Sequence, residues 1–153
     1  MKITDFLDHA RVIPELKGRD KRTVLKEMAD WLASQERSLD AQKLLEILLE
    51  REKISSTAIG EGVAIPHGKT ADVRKISGLF ARSSEGVEFD SIDGGPTHLF
   101  FLLIAPEDSA ADHLKALARI SRLLKDSSFR ARLMEGKTRE EIFSIIKEED
   151  GKF

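Results

Sequence analysis

The chain has 153 residues, a formal net charge of -2 and no cysteine. The balance of 25 basic against 27 acidic side chains argues against a nucleic-acid-binding protein, since such proteins usually carry a basic excess. The lack of cysteine excludes disulfides, zinc thiolates and cysteine nucleophiles, and 41% hydrophobic with 34% charged residues is typical of one globular domain.

The amino terminus, MKITDFLDHARVIPEL, contains scattered charges and no apolar core segment, so it does not predict a signal peptide. The longest apolar run, Leu99 to Ala105, is too short to cross a bilayer. We therefore expect a cytoplasmic protein that is not inserted into a membrane.

Two amphipathic helices are predicted in the first third of the chain. Apolar residues recur at helical spacing from Lys21 to Ser34 and again from Asp40 to Glu52. Asp20 precedes the first of these helices and Asp40 opens the second, and both are suitable amino-terminal caps.

The pattern then changes to one that favours strands. The segment SSTAIGEGVAIPHGKT, residues 55–70, predicts a strand, a turn and a short strand that ends at a loop. A further strand is predicted from Ile76 to Arg82. The turn residues Gly94-Gly95-Pro96 precede a strand from Thr97 to Ala105, which is apolar on both faces and therefore central in a covered sheet.

Three helices are predicted after that strand. Ser109 and Asp112 have the spacing of a capping box at the start of a helix that runs to about Lys125. Two shorter helices follow, near Ser128–Glu135 and Thr138–Glu148. Helices on both faces of a buried sheet indicate an α/β fold, a single-domain sandwich.

The glycine-rich segment from Gly60 to Thr70 superficially resembles a phosphate-binding P-loop. That motif requires a glycine separated by four residues from Gly-Lys-Thr, and Val63 occupies the required position. Pro66 also removes one of the backbone N–H donors that such a loop uses. We therefore predict no nucleotide site here.

The same segment suits a reactive histidine. Pro66 restricts its own φ and favours an extended Ile65, which gives His67 a defined direction. Gly68 has no side chain, so we expect space beside the ring for a partner's backbone or a phosphate. Neutral imidazole is a good nucleophile near pH 7. The alternative is that Pro-His-Gly is only a turn.

Two more residues are candidates for contacting a phosphate. His113 is expected in the first turn of its helix, where the helix dipole favours a neutral ring and a nearby anion. Arg51 is expected at the end of the second helix, and a guanidinium can donate two hydrogen bonds to one phosphate. The alternatives are a surface histidine beside a leucine stripe and an ordinary helix-terminal cation, respectively.

The other histidines have no comparable setting. His9 lies in a polar stretch and His98 begins a strand, so both are interpreted as structural or surface residues. No pair of histidines has the i, i+4 spacing typical of a metal site. No metal or cofactor is predicted.

These motifs resemble those of enzyme IIA proteins of the phosphoenolpyruvate-dependent phosphotransferase system, in the fructose/mannitol class and closest to its nitrogen-regulatory branch. The resemblance covers nearly the whole chain and implies one IIA type 2 domain over residues 1–153, with a mixed central sheet flanked by helices on both faces. It is carried by LLEREKISSTAIGEGVAIPHGKT, by SIDGGP at 91–96 and by APEDSAADHLKALARISRLL at 105–124.

The resemblance also implies roles for the three candidate residues. His67, in Ile-Pro-His-Gly, would be the phosphorylated nucleophile and would react through Nε2. His113, in a His-Leu pair, would stabilise the phosphoryl group or the tautomer, and Arg51, in Arg-Glu-Lys, would stabilise the phosphate. The donor would be an HPr-like phosphocarrier protein.

The acceptor remains open between two classes. A regulatory protein would bind target proteins differently in its phosphorylated and free forms, and we favour this hypothesis. A transport protein would pass phosphate to a cysteine of an enzyme IIB on another chain. Alternatives from other classes are a hydrolase or nucleotide enzyme with His67 as base, and a binding module that never carries phosphate.

Overall fold

The computed structural model of the protein describes residues 1–152, so Phe153, the last residue of the predicted domain, lies outside it. After one short strand, two helices, five strands and three helices follow in order along the described residues. The helices are α1 Lys21–Gln35, α2 Ala41–Ile54, α3 Ala110–Leu124, α4 Ser127–Glu135 and α5 Arg139–Asp150. The strands are β1 Val12–Ile13, β2 Ala58–Gly60, β3 Val63–Ala64, β4 His67–Thr70, β5 Ser77–Val87 and β6 Thr97–Pro106.

The six described strands form one mixed sheet in the order β1-β5-β6-β3-β2, with β4 also paired to β6. β5 and β6 are antiparallel, whereas β3 and β4 both run parallel to β6. The predicted central position of β6 is confirmed, because it pairs with β5 on one side and with β3 and β4 on the other.

Helices cover both faces of this sheet, as predicted for a sandwich. Alternate side chains of β6 belong to two separate cores: Phe100 packs beneath α1 and α2, while Phe101 packs beneath α3, α4 and α5. Phe80, Phe89 and Phe129 are all almost fully buried and belong to these cores. The close-packed sheet therefore supports a layer of helices on each face, and each layer can present its own side chains.

Local signals at the helix starts explain where α1 and α2 begin. The carboxylates of Asp20 and Asp40 accept hydrogen bonds from the backbone N–H groups of Thr23 and Lys43, each at 2.9 Å. The predicted caps are confirmed at both helices.

The capping box predicted for α3 is wrong. Ser109 precedes that helix, but its side chain makes no capping hydrogen bond. Its ψ of 46° differs from the extended ψ of 164° at the Asp20 cap, so its hydroxyl is not directed at the orphan N–H groups.

Other differences concern lengths and the amino terminus. β5 extends to Val87, beyond the predicted end at Arg82, because an irregularity in its pairing lets it rejoin β6 at Thr97. Two 3-10 turns, Ile3–Asp5 and His9–Arg11, and the short β1 have no predicted counterpart. In the described part of the chain, none of the helices has the length and hydropathy needed to span a membrane.

Candidate functional site

The three candidate residues come together at one open depression of about 720 Å³. Arg51 reaches it from the last turn of α2, His67 from the start of β4 and His113 from the first turn of α3. They are separated along the chain and meet only because β4 lies between the two helical layers.

His67 lies in a strand, and the predicted loop at this position is wrong. The segment from Val63 to Thr70 keeps one parallel register with β6, interrupted only at Ile65 and Pro66. Pro66 has no N–H to donate, but its carbonyl accepts from Leu103 N at 2.9 Å and so keeps the segment aligned. The backbone of His67 is therefore held by the sheet.

The space expected beside Gly68 is filled from within the protein. A Cβ built on Gly68 would lie 2.6 Å from Cγ2 of Ile47 on α2, which is far closer than a normal contact. Gly68 is thus required for the close approach of α2 to β4. Because side chains alternate along a strand, Gly68 faces α2 while His67 and Lys69 face α3.

One hydrogen bond fixes the tautomer of His67. Its Nδ1 lies 2.7 Å from the carbonyl oxygen of Ile65, and a carbonyl only accepts. In the neutral ring the proton is therefore on Nδ1 and the lone pair is on Nε2. Burial is the main cause that lowers the pKa of His67, and the charge of Arg51 lowers it further. The ring therefore stays neutral at pH values at which a histidine is usually protonated.

His113 is a buried partner of His67, contrary to the surface alternative. Its exposed fraction is 5%, whereas the following residue, Leu114, is 68% exposed. The two imidazole rings lie edge to face with centroids 5.4 Å apart. Burial, followed by the charges of His67 and Lys69, lowers the pKa of His113 to about 4, so this ring is neutral at pH 7.

The Nε2 atom of His113 is buried and has no hydrogen-bond partner among the described residues. Such an atom normally costs free energy, and a ligand bound at the site would supply the missing partner. A neutral imidazole can either donate or accept at this position, depending on its tautomer.

Arg51 is directed to the site rather than to its acidic neighbours. Its Nη1 donates to the carbonyl oxygen of Ser55 at 2.9 Å. Glu50 instead pairs with Lys53, and Glu52 pairs with Lys21. α2 continues to Ile54, two residues beyond the predicted end at Glu52, and Arg51 lies in its last turn.

Other contributors to the depression were not singled out from the sequence. Lys69 lies two residues after His67 on the same face of β4. Side chains two residues apart share one face of a strand, so an extended segment here would have predicted that Lys69 lies beside His67. Ile54 and Leu114 are 80% and 68% exposed at its rim. The rim therefore combines apolar contact surface with positive charge.

His9 and His98 lie away from the depression. His9 is exposed and its ring lies 6.5 Å from that of Phe143, while Nδ1 of His98 lies 2.8 Å from the carbonyl oxygen of Ser83. Within residues 1–152 no group of three His, Asp or Glu side chains is arranged to hold a metal ion.

The geometry suits attack by a neutral imidazole on an electrophile that carries negative charge. The Nε2 lone pair of His67 is defined, a second neutral imidazole is adjacent, and Arg51 supplies the guanidinium that oxyanions favour.

Comparison with known proteins agrees with the resemblance found in the sequence motifs. The family model for "Phosphoenolpyruvate-dependent sugar phosphotransferase system, EIIA 2" matches residues 5–149. A nitrogen regulatory protein of Bradyrhizobium diazoefficiens is 44% identical over 146 residues, which cover 95% of this chain and 95% of that protein.

A second relative differs in length. The fructose-specific EIIABC component of Bacillus subtilis is 40% identical over 150 residues, which cover 98% of this chain but 24% of that protein. Among solved structures, the nitrogen regulatory protein IIA-Ntr of Neisseria meningitidis superposes with a TM-score of 0.88 at 34% identity, covering 94% of this chain and 98% of that one.

Proposed function

This chain belongs to the phosphoenolpyruvate-dependent sugar phosphotransferase system EIIA 2 family and is a phosphotransferase component, and we propose that it carries a phosphoryl group on Nε2 of His67. The observation that carries this proposal is the bond from His67 Nδ1 to the Ile65 carbonyl, which leaves Nε2 as the nucleophilic atom. We propose further that residues 1–153 form one IIA domain, which acts in the cytoplasm.

The transfer step needs no nucleotide. The Nε2 lone pair of His67 attacks the phosphorus of a phosphorylated, HPr-like donor in line with the bond that breaks, and that bond's electron pair returns to the donor. The proton on Nδ1 stays in place, since the Ile65 carbonyl holds it. Positioning and charge stabilisation supply most of the catalysis in such a transfer.

His113 and Arg51 take the supporting roles. The unpaired Nε2 of His113 would gain a phosphoryl oxygen as partner, with that ring nitrogen protonated in its neutral form. Arg51 would bind the transferred oxygens from the opposite side of the depression. Because both act on charge that develops during transfer, removing either should slow transfer by about 10²–10³-fold.

We favour a regulatory output. The Bradyrhizobium nitrogen regulatory protein is 44% identical to this chain, against 40% for the fructose-specific Bacillus protein, and the structure of IIA-Ntr of Neisseria meningitidis superposes with a TM-score of 0.88. Phosphorylation of His67 would add about two negative charges beside exposed Ile54 and Leu114 and would so change the affinity of that face for a target protein.

A sugar-transport output is the second candidate, supported by the 40% identity to the fructose-specific protein. In that case the phosphoryl group would pass to a cysteine of an enzyme IIB. That cysteine would lie outside residues 1–153, which contain none.

The experiment is intact-protein mass spectrometry after incubation with phosphoenolpyruvate, enzyme I and an HPr-like protein. We expect one added phosphate on wild type and slowed uptake by His113→Ala and Arg51→Ala. His67→Gln should take none, and His98→Gln is the matched control that should behave as wild type. Unmodified wild type with both a sugar-type and a nitrogen-type donor, or full labelling of His67→Gln, would contradict the proposal.

A further inference from the structure

Glu52 is a buried carboxylate beside the candidate site. It follows Arg51 on the last turn of α2, but its side chain turns inward and is 4% exposed, while Arg51 lines the depression. Burying a carboxylate is costly unless charged and hydrogen-bonding partners compensate for lost water. Its partners therefore define what this residue does.

Three groups from two other segments hold this carboxylate. It accepts from the backbone N–H of Thr57 at 3.1 Å and from the Thr57 hydroxyl, and Lys21 Nζ lies 2.9 Å from it. Lys21 opens α1 and Thr57 immediately precedes β2. Glu52 thus ties the end of α2 to the start of α1 and to the edge of the sheet.

These bonds continue to both reactive groups. Between Glu52 and Thr57 lies the short loop whose Ser55 carbonyl accepts from Arg51 at 2.9 Å. The Thr57 carbonyl in turn accepts from Ile65 N at 3.0 Å, and the Ile65 carbonyl holds Nδ1 of His67 at 2.7 Å. One hydrogen-bonded framework therefore sets the position of the guanidinium and of the imidazole.

We propose that Glu52 is a positioning residue for phosphoryl transfer, which holds Arg51 and His67 in the relative placement that the reaction needs by anchoring Thr57. The inference rests on the proposed function of His67. Glu52 lies outside the reacting groups, so its positioning effect passes through Thr57 and the Ser55 loop.

The charge of Glu52 also reaches the ring. Burial is the largest influence on the pKa of His67 and lowers it, whereas the carboxylate of Glu52 acts in the opposite direction. This electrostatic contact is consistent with the short path through Thr57 and Ile65, although the proposal is based on the hydrogen bonds.

The test separates the transfer step from docking. Single-turnover transfer from a phosphorylated HPr-like donor is measured against donor concentration for wild type, Glu52→Gln and Arg51→Ala. A glutamine has one acceptor oxygen and cannot serve both Thr57 donors and Lys21. We expect Glu52→Gln to lower the rate at saturating donor by about 10-fold or more, with the half-saturating concentration changed less than about 3-fold.

Non-additivity distinguishes positioning from a general loss of structure. The variant combining Arg51→Ala with Glu52→Gln should be little slower than Arg51→Ala alone, since both changes remove the same guanidinium contact. Glu36→Gln is the matched control: Glu36 is also a partly buried, ion-paired carboxylate, held by Arg11 at 2.7 Å, but it lies at the far end of α1. Its rate should equal that of wild type.

A milder pair of variants covers the case in which Glu52→Gln does not fold. Thr57→Val removes only the hydroxyl donor and should slow the saturated rate, whereas Thr57→Ser keeps that donor and should restore it. A wild-type saturated rate in Glu52→Gln or in Thr57→Val would overturn the positioning role while leaving His67 as carrier. A wild type that accepts no phosphate would overturn both proposals.

Discussion

At the scale of single residues, two neutral imidazoles with different surroundings carry the site. His67 is held by a carbonyl at Nδ1, while His113 is buried with an unpaired Nε2. Their chemical difference arises from hydrogen bonding rather than from charge, since the pKa of each is lowered, chiefly by burial. His67 is thereby suited to nucleophilic attack, and His113 is suited to binding an incoming group.

The lowered pKa of His113 predicts a specific acid sensitivity. Its folded-state pKa is about 4 against 6.5 for the unfolded chain, so the unfolded state binds more protons between these values. The free energy of unfolding must therefore fall as the pH falls from about 6.5 to about 4, and this loss is complete below that range. Between about pH 7.5 and pH 4.5, His113 should account for about 2–3 kcal/mol of the loss.

The measurement is urea unfolding of wild type and His113→Gln at both pH values. Because glutamine does not titrate, the variant should lose about 2–3 kcal/mol less than wild type over the same interval. Contributions from carboxylates are common to both proteins and cancel in the difference. Equal losses in the two proteins would show that His113 keeps an ordinary pKa.

Residue-level chemistry was only partly predictable. His67, His113 and Arg51 stand in recognisable local motifs, and the structure brings all three to one depression. Their roles remain proposals. The pairing of Glu52 with Lys21 could not have been predicted, because the two residues are remote in sequence.

At the scale of elements, the contact between α2 and β4 is unusually close. Gly68 allows Ile47 to pack directly on the strand that carries His67. A methyl group at position 68 would have to displace Ile47, and with it the turn of α2 that precedes Arg51. The spacing between helix and strand therefore controls the width of the depression.

We expect Gly68→Ala to lower the free energy of unfolding by about 1–3 kcal/mol through overpacking. Ile47→Ala removes the opposing Cγ2 atom, so the double variant should be more stable than the sum of the two single effects by about 1 kcal/mol. Denaturant unfolding of the four proteins gives the coupling energy. Strict additivity would mean that the side chain at position 47 does not oppose a larger residue at position 68.

Elements with local signals were predicted well, and those that depend on distant pairing were not. α1 and α2 combine an aspartate cap with a helical apolar stripe, and the caps proved correct. β4 was interpreted as a loop because its alignment depends on β6, far along the chain. β1 has only two residues, too few for any periodicity to show.

At the scale of the whole molecule, β6 is the shared centre of two cores. Its alternate side chains pack in different helical layers, and both of its edges are paired. The sequence indicated this central strand through its continuous apolar run, but it contains no signal for strand order or direction.

We expect the amides of β6 to exchange with solvent only through global unfolding, since no local opening exposes them without breaking both cores. The short edge strands β1 and β2 should exchange through smaller openings. Native-state hydrogen exchange at increasing low denaturant concentrations measures the free energy of each opening. Comparable opening free energies in β2 and β6 would contradict this ranking.

β3 and β4 pair with β6 at the same offset, from Val63 to Thr70, and this limits how the sequence can change in length. Inserting or deleting one residue there would exchange the two faces of the strand, which would turn His67 towards Ile47 and Gly68 towards α3. During evolution, length changes of one residue should therefore be selected against in the strand that carries the histidine.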